Sequence, residues 1–158
     1  MDTSVLHSRE LRLALPRFND SIALKLGLIA LRQAGKGALP FVVDIRTPNR
    51  ILFRAALPGT TPLHDGWLER MAATAFAFDM SSLRVRHMLR ERGESLATHG
   101  FAAEDHATRG GACPIRVRGT GIVGLITISG LSDAEDHDRA ELALKTLLAE
   151  MKAPPRNR

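Results

Sequence analysis

Hydrophobic positions along the chain follow two rhythms, one nearly continuous and β-branched, the other recurring every three or four residues. The stretch from Gly110 to Leu131, GGACPIRVRGTGIVGLITISGL, carries the first. Ile115, Val117 and the run Ile122 to Ile128 are interrupted by Gly119-Thr120-Gly121, which predicts a β-hairpin. Its second arm is apolar at nearly every position, the pattern of a central strand covered on both faces. Phe41 to Ile45 and Ile51 to Leu57, joined by the turn Thr47-Pro-Asn-Arg50, predict another hairpin. Asp44 and Arg46 then share one face of its first strand.

The second rhythm marks helices. A short one over residues 4–10 is followed by an extended piece from Leu11 to Leu15, which Pro16 ends. Asn19 or Asp20 caps a helix to about Gln33, stopped by Gly35 and Gly37. Ile22, Leu24, Leu26, Leu28, Ile29 and Leu31 leave it little polar face beyond Lys25 and Arg32, so it is expected to be buried, part of it against another subunit. Pro62 suits the first turn of a helix carrying Trp67, Arg70, Met71, Ala75 and Phe78. Ser81 or Ser82 caps the next helix, which Gly93 stops, and 94–109 reads as a loop with a helical turn or two. Ser132-Asp-Ala-Glu135 is a capping box for a last helix with an apolar stripe at Ala140, Leu144, Leu147, Leu148 and Met151. Two hairpins separated and flanked by helices predict a single α/β (α+β) domain, 1–158, built on an antiparallel sheet.

Composition narrows the partners. The net charge is +5, from 22 Lys and Arg against 17 Asp and Glu, but the arginines are scattered, with Arg84, Arg86, Arg90 and Arg92 the densest group. With no tyrosine and one tryptophan, the stacking platforms for single-stranded bases are missing, so no nucleic-acid partner is expected. No apolar run reaches membrane-spanning length, and Asp2, Arg9 and Glu10 stand where a signal peptide would be basic and then apolar, so a cytoplasmic protein is expected. The single Cys113 excludes an internal disulfide. The tail after Lys152 is short and broken by Pro154 and Pro155, as frayed termini are.

Candidate chemistry is thin. None of the six histidines, His7, His64, His87, His99, His106 and His137, forms an HxxxH or HExxH pair. Asp105-His106 and Glu135-Asp136-His137 each set a carboxylate beside an imidazole. Cys113-Pro114 has the form of a thiolate haem ligand with a proline turning the chain away. As a nucleophile Cys113 lacks an identifiable base. Gly110-Gly111 and Gly119-Thr-Gly121 offer backbone N–H groups to an anion beside Arg109, Arg116 and Arg118, or serve hairpin geometry alone.

Several segments together resemble a known family. Leu15-Pro-Arg-Phe18, Asp44-Ile-Arg46, FRAALPGTTP from Phe53 to Pro62, Asp65-Gly-Trp67, Ser81-Ser82, Gly110 to Gly130 and Asp136-His137 look like the haem-degrading-domain family related to GlcG and HbpS, in its intracellular branch. The resemblance implies a profilin-like, GlcG-like fold with a five-stranded antiparallel sheet, the extended piece before Pro16 supplying the fifth strand. It also implies homodimers that assemble into larger rings, and haem as a possible cofactor. Met71, Ala72 and Ala73 depart from the polar residues common after the tryptophan, Arg109 replaces a histidine, and Cys113 stands where an aromatic often precedes the proline.

The expected function is therefore an oligomeric small-molecule-binding protein, its pocket between the sheet and the Trp67 helix. Trp67, Arg70, Arg109, Arg116, Gly110 and Gly111 are the candidates for an anionic ligand such as a haem propionate. His106 and Cys113 are the candidate iron ligands if the protein is instead an enzyme acting on haem or another cofactor. A ring presenting a surface to another protein is the third possibility.

Overall fold

A computed structural model describes residues 2–153; the tail from Pro154 lies outside the described residues. Helix α1, Thr3–Arg12, is capped by the Asp2 carboxylate, which accepts the Val5 N–H at 2.9 Å. Helix α2, Asp20–Gln33, starts at the Asn19 cap. The hairpin β1, Val42–Thr47, and β2, Arg50–Ala56, leads into α3, Pro62–Phe78, and α4, Ser82–Arg92. A single 3₁₀ turn, Leu96–His99, interrupts the loop before the second hairpin, β3, Ala112–Val117, and β4, Gly121–Ser129. Helix α5, Asp133–Lys152, opens on the predicted box, with Ser132 and Glu135 capping each other.

The sheet has four antiparallel strands in the order β2-β1-β4-β3. The apolar run of β4 is central, as its composition requires. The expected fifth strand is corrected: α1 continues to Arg12, and only Leu15 touches the sheet, in one parallel bridge to Val117. Its N–H donates to the Arg116 carbonyl at 2.7 Å, and its carbonyl accepts the Arg118 N–H at 3.0 Å. Pro16 follows at once and has no N–H to extend a ladder.

One face of the sheet carries Val43, Ile45, Cys113, Ile115, Ile126 and Ile128 against α2 and α5. Across the other face, Ala112 and Leu125 meet Met71, Ala72 and Ala75 of α3. This second face is not purely apolar. Asp44, wholly buried in β1, is bound by Arg46 and Arg54, and both arginines also bind Glu69 of α3. Burial works against the Glu69 carboxylate less than the two guanidiniums favour it, and its pKa falls to about 2. Helix α2 is buried along Ala23, Leu26, Ile29 and Ala30, while Leu24 and Leu28 remain exposed on its outer side.

Candidate functional site

Helix α3 positions the centre of the site. Trp67 and Arg70 lie one turn apart, and the Arg70 guanidinium stacks 3.9 Å from the indole centroid while its Nε donates to the Gly66 carbonyl. Arg109, at the end of the long loop before β3, brings a second guanidinium to 4.8 Å from the same ring. Its Nε lies 3.0 Å from Asp133 Oδ1, in the first turn of α5. A cleft of about 160 Å³ opens beside this stack, lined by Leu63, His64, Trp67, Arg109, Ser129, Gly130 and Leu131. Leu63 at its rim is 63% exposed.

The floor is held from below by Asp136. Its carboxylate accepts the Gly130 N–H at 3.3 Å and the Leu131 N–H at 3.0 Å. Burial raises its pKa to about 6 against those two bonds and the nearby Arg109. Gly110 and Gly111 do not line the cleft and pack as backbone against Asp133 and Asp136. A Cβ on Gly110 would stand 2.3 Å from the Asp133 carbonyl oxygen, and one on Gly111, at φ +147°, 2.2 Å from that of Ile128. Both glycines are buried, so they let β3, β4 and the start of α5 close together. Met71 packs against Gly111, its Cε 3.2 Å from where a Cβ would sit. Ala73 is half-buried one turn from Arg70 on the same helix.

Trp67, Arg70 and Arg109 thus come together, with Gly110 and Gly111 supporting them. Arg116 goes elsewhere. Its guanidinium meets the buried Glu10 carboxylate at 3.3 Å and the Asp79 carbonyl at 3.3 Å. Glu10 also accepts from Arg84 and from the Ser81 N–H, both at 3.1 Å, which pins α1 to the start of α4.

His106 stands against Phe101, ring centroids 4.5 Å apart, with its Nδ1 buried and without a partner. Cys113 is 3% exposed on the opposite face of the sheet, among α5 side chains. Its Sγ lies 3.5 Å from His137 Nδ1, and His137 Nε2 lies 2.9 Å from Glu141 Oε1. Arg9 binds the same Glu141 carboxylate. Burial opposes the imidazolium, but Cys113 and Glu141 outweigh it and lift His137 to about 10. Burial raises the Cys113 pKa against the opposing pull of His137.

Neither His106 nor Cys113 is among the residues that line the Trp67 cleft. His64, which sequence patterning did not single out, is the only imidazole among its lining residues. The Thr61 N–H donates to His64 Nδ1 at 2.9 Å as part of the α3 cap, which leaves the proton on Nε2. Among the described residues, no cluster of three or more His, Cys, Asp or Glu could hold a metal ion, and no helix is long and apolar enough to cross a membrane.

A sheet between two helical layers in this arrangement recurs in solved structures. The Ybr137w protein superposes with a TM-score of 0.84 at 28% identity, over 95% of this chain and 89% of that one. HbpS shares the fold at a TM-score of 0.67 and 20% identity, over 83% of this chain and 90% of that one. A PduOC:heme complex does so at 0.68 and 21%, over 81% and 93%. Residues 18–145 match the family model described as "Haem degrading protein HbpS-like", and the chain belongs to that family. Among curated relatives, a UPF0303 protein of Zymomonas mobilis is 37% identical over 86% of this chain and 74% of its own length. One from Pseudomonas entomophila is 35% identical over 96% and 85%.

Proposed function

We propose that the protein binds a small carboxylate-bearing ligand in the Trp67 cleft, and that haem, held through its propionates, is the first ligand to test. The observation that carries this reading is the Arg70–Trp67–Arg109 stack at the edge of the cleft. A guanidinium spread over an indole face keeps its N–H edge available to a carboxylate. The cleft, at about 160 Å³, is below the roughly 300–1,000 Å³ that encloses a drug-sized molecule. It suits a carboxylate arm, with the body of the ligand lying outward across exposed Leu63. The family description and the haem complex of a fold neighbour make haem the natural probe.

Binding is favoured over catalysis because Cys113, the one thiol nucleophile, is 3% exposed and borders no described cleft. We place the protein in the cytoplasm and assemble it as a homo-oligomer. Exposed Leu24 and Leu28 on one side of α2 support the assembly, which light scattering tests. The ligand test is a haemin titration followed by visible absorption on the wild type, Arg109→Ala and Arg70→Ala. Saturation near one haem per chain, weakened at least tenfold in both variants, supports the cleft. Equal binding in all three proteins removes it.

A further inference from the structure

We infer that the Trp67 cleft is built for a short 2-oxo acid, with the oxygen at C2 met by His64 and Ser129. This rests on the reading of the cleft as a carboxylate site and names the ligand class that fills it. A propionate arm engages the arginines alone, yet two further polar side chains of the cleft are answered by nothing in the protein. Ser129 of β4 is 3% exposed and lines the cleft, and its hydroxyl makes no hydrogen bond to any described residue. A polar group buried to that degree calls for a partner, and the cleft is the space from which one can come. His64, in the first turn of α3, also lines the cleft. Its Nδ1 accepts the Thr61 N–H at 2.9 Å, so Nε2 carries a proton, and that N–H has no partner among the described residues.

The balance of donors and acceptors decides the class. Arg109, His64 and Ser129 all present N–H or O–H groups, and no carboxylate is among the residues lining the cleft. The acids that adjoin it are committed elsewhere. Asp133 is shared between Arg86 and Arg109, and Asp136 accepts the Gly130 and Leu131 N–H groups from behind. Arg70 meets a backbone carbonyl and no carboxylate among the described residues, so one acid stands against the guanidiniums gathered here and positive charge is left over. A fitting ligand is therefore rich in acceptors, negatively charged and free of cationic groups. A carboxylate with a carbonyl oxygen on the next carbon sets three acceptor oxygens on one short skeleton, and a cleft of about 160 Å³ admits only a short one. An amino acid of the same length would bring an ammonium toward Arg109 with no carboxylate in the lining to receive it. A plain fatty acid would leave the His64 N–H and the Ser129 hydroxyl without partners. Leu63, Trp67 and Leu131 supply apolar wall for the remainder of the chain.

Calorimetric titration of the full chain with 2-oxobutyrate, butyrate and 2-aminobutyrate, which differ only at C2, tests the assignment. The expected result is saturable binding at one 2-oxobutyrate per chain, at least tenfold tighter than either of the other two. Ser129→Ala and His64→Ala should each cut the preference for 2-oxobutyrate over butyrate at least threefold while butyrate stays within twofold of wild type. Ser129→Ala leaves the α3 cap untouched, so the test does not depend on how well the His64 variant folds. Arg109→Ala should weaken 2-oxobutyrate and butyrate alike. Equal binding of 2-oxobutyrate and butyrate overturns the 2-oxo assignment and leaves the carboxylate reading of the cleft standing. Binding of 2-aminobutyrate as tight as that of 2-oxobutyrate, or an unchanged preference in both Ser129→Ala and His64→Ala, overturns it too. No binding of any of the three acids also overturns it, and haemin titration of Arg109→Ala then decides whether the carboxylate reading falls with it.

Discussion

Glu10→Ala separates the two roles that arginines play in this molecule. Its carboxylate is 4% exposed and meets three donors, the Arg84 and Arg116 guanidiniums and the Ser81 N–H. Truncation leaves two guanidiniums, each 14% exposed, without their shared counter-charge, and orphans the N–H that enters α4. Breaking a buried charge pair from one side typically destabilises by about 3–5 kcal/mol. With a urea slope of about 2 kcal/mol per molar, the unfolding midpoint should fall by about 1.5–2.5 M. Arg116→Ala is milder, because Glu10 keeps Arg84 and Ser81; a loss of about 1–2 kcal/mol is expected. Arg109→Ala, on a side chain 39% exposed, should barely move the midpoint yet remove a charge-assisted contact to ligand. Urea unfolding and haemin titration on the same three proteins decide the matter. A Glu10→Ala midpoint within about 0.3 M of wild type would refute the energetic reasoning. Arg116→Ala losing haemin as severely as Arg109→Ala would refute the division of roles.

Other expectations follow from the same geometry. His137 has its pKa lifted from 6.5 to about 10, so its pairing with Cys113 and Glu141 contributes stability in full below pH 6.5 and loses it as pH rises through about 10. Urea midpoints from pH 6 to 11 should show that alkaline loss in wild type and a flatter profile in Glu141→Gln. Asp136 acts in the same direction at lower pH, since a carboxylate raised from 3.8 to about 6 also makes the fold relatively more stable at low pH, and its share is lost as pH rises across that interval. Asp136→Asn should flatten this slope in the same measurement, read between pH 4 and 6. Gly110→Ala drives a methyl onto the Asp133 carbonyl, and thermal unfolding should show a loss of about 1–3 kcal/mol, with an unchanged melting point contradicting the close approach.

Much of the fold was legible because local signals were strong and agreed with one another. The Ser132–Glu135 box, the Asn19 cap and Gly93 mark helix ends that the structure reproduces, and the uninterrupted apolar run after Gly121 marks the central strand. The fifth strand was misjudged because Leu11 to Leu15 carries both helical and extended spacing, and docking of α1 against α4 and β3 resolves it in favour of helix. Site geometry was less legible. Trp67 and Arg70 share a helix turn, but Arg109 reaches them only through a long loop whose path no periodicity encodes. Arg116 looked like a ligand contact because the buried Glu10 that claims it lies at the far end of the chain. The imidazole beside Cys113 was equally hidden, although the four-residue spacing of His137 and Glu141 on one helix was a signal that could have paired those two.

The most direct test of the Trp67 cleft compares haemin with its dimethyl ester, in which both propionates are capped as neutral esters, by absorption titration of the wild-type protein. If Arg70 and Arg109 hold the ligand by its carboxylates, haemin binds saturably at one per chain and the ester at least tenfold more weakly. Equal, saturable binding of the two would contradict the account, because the macrocycle would then be recognised without the charges that the arginines are placed to meet.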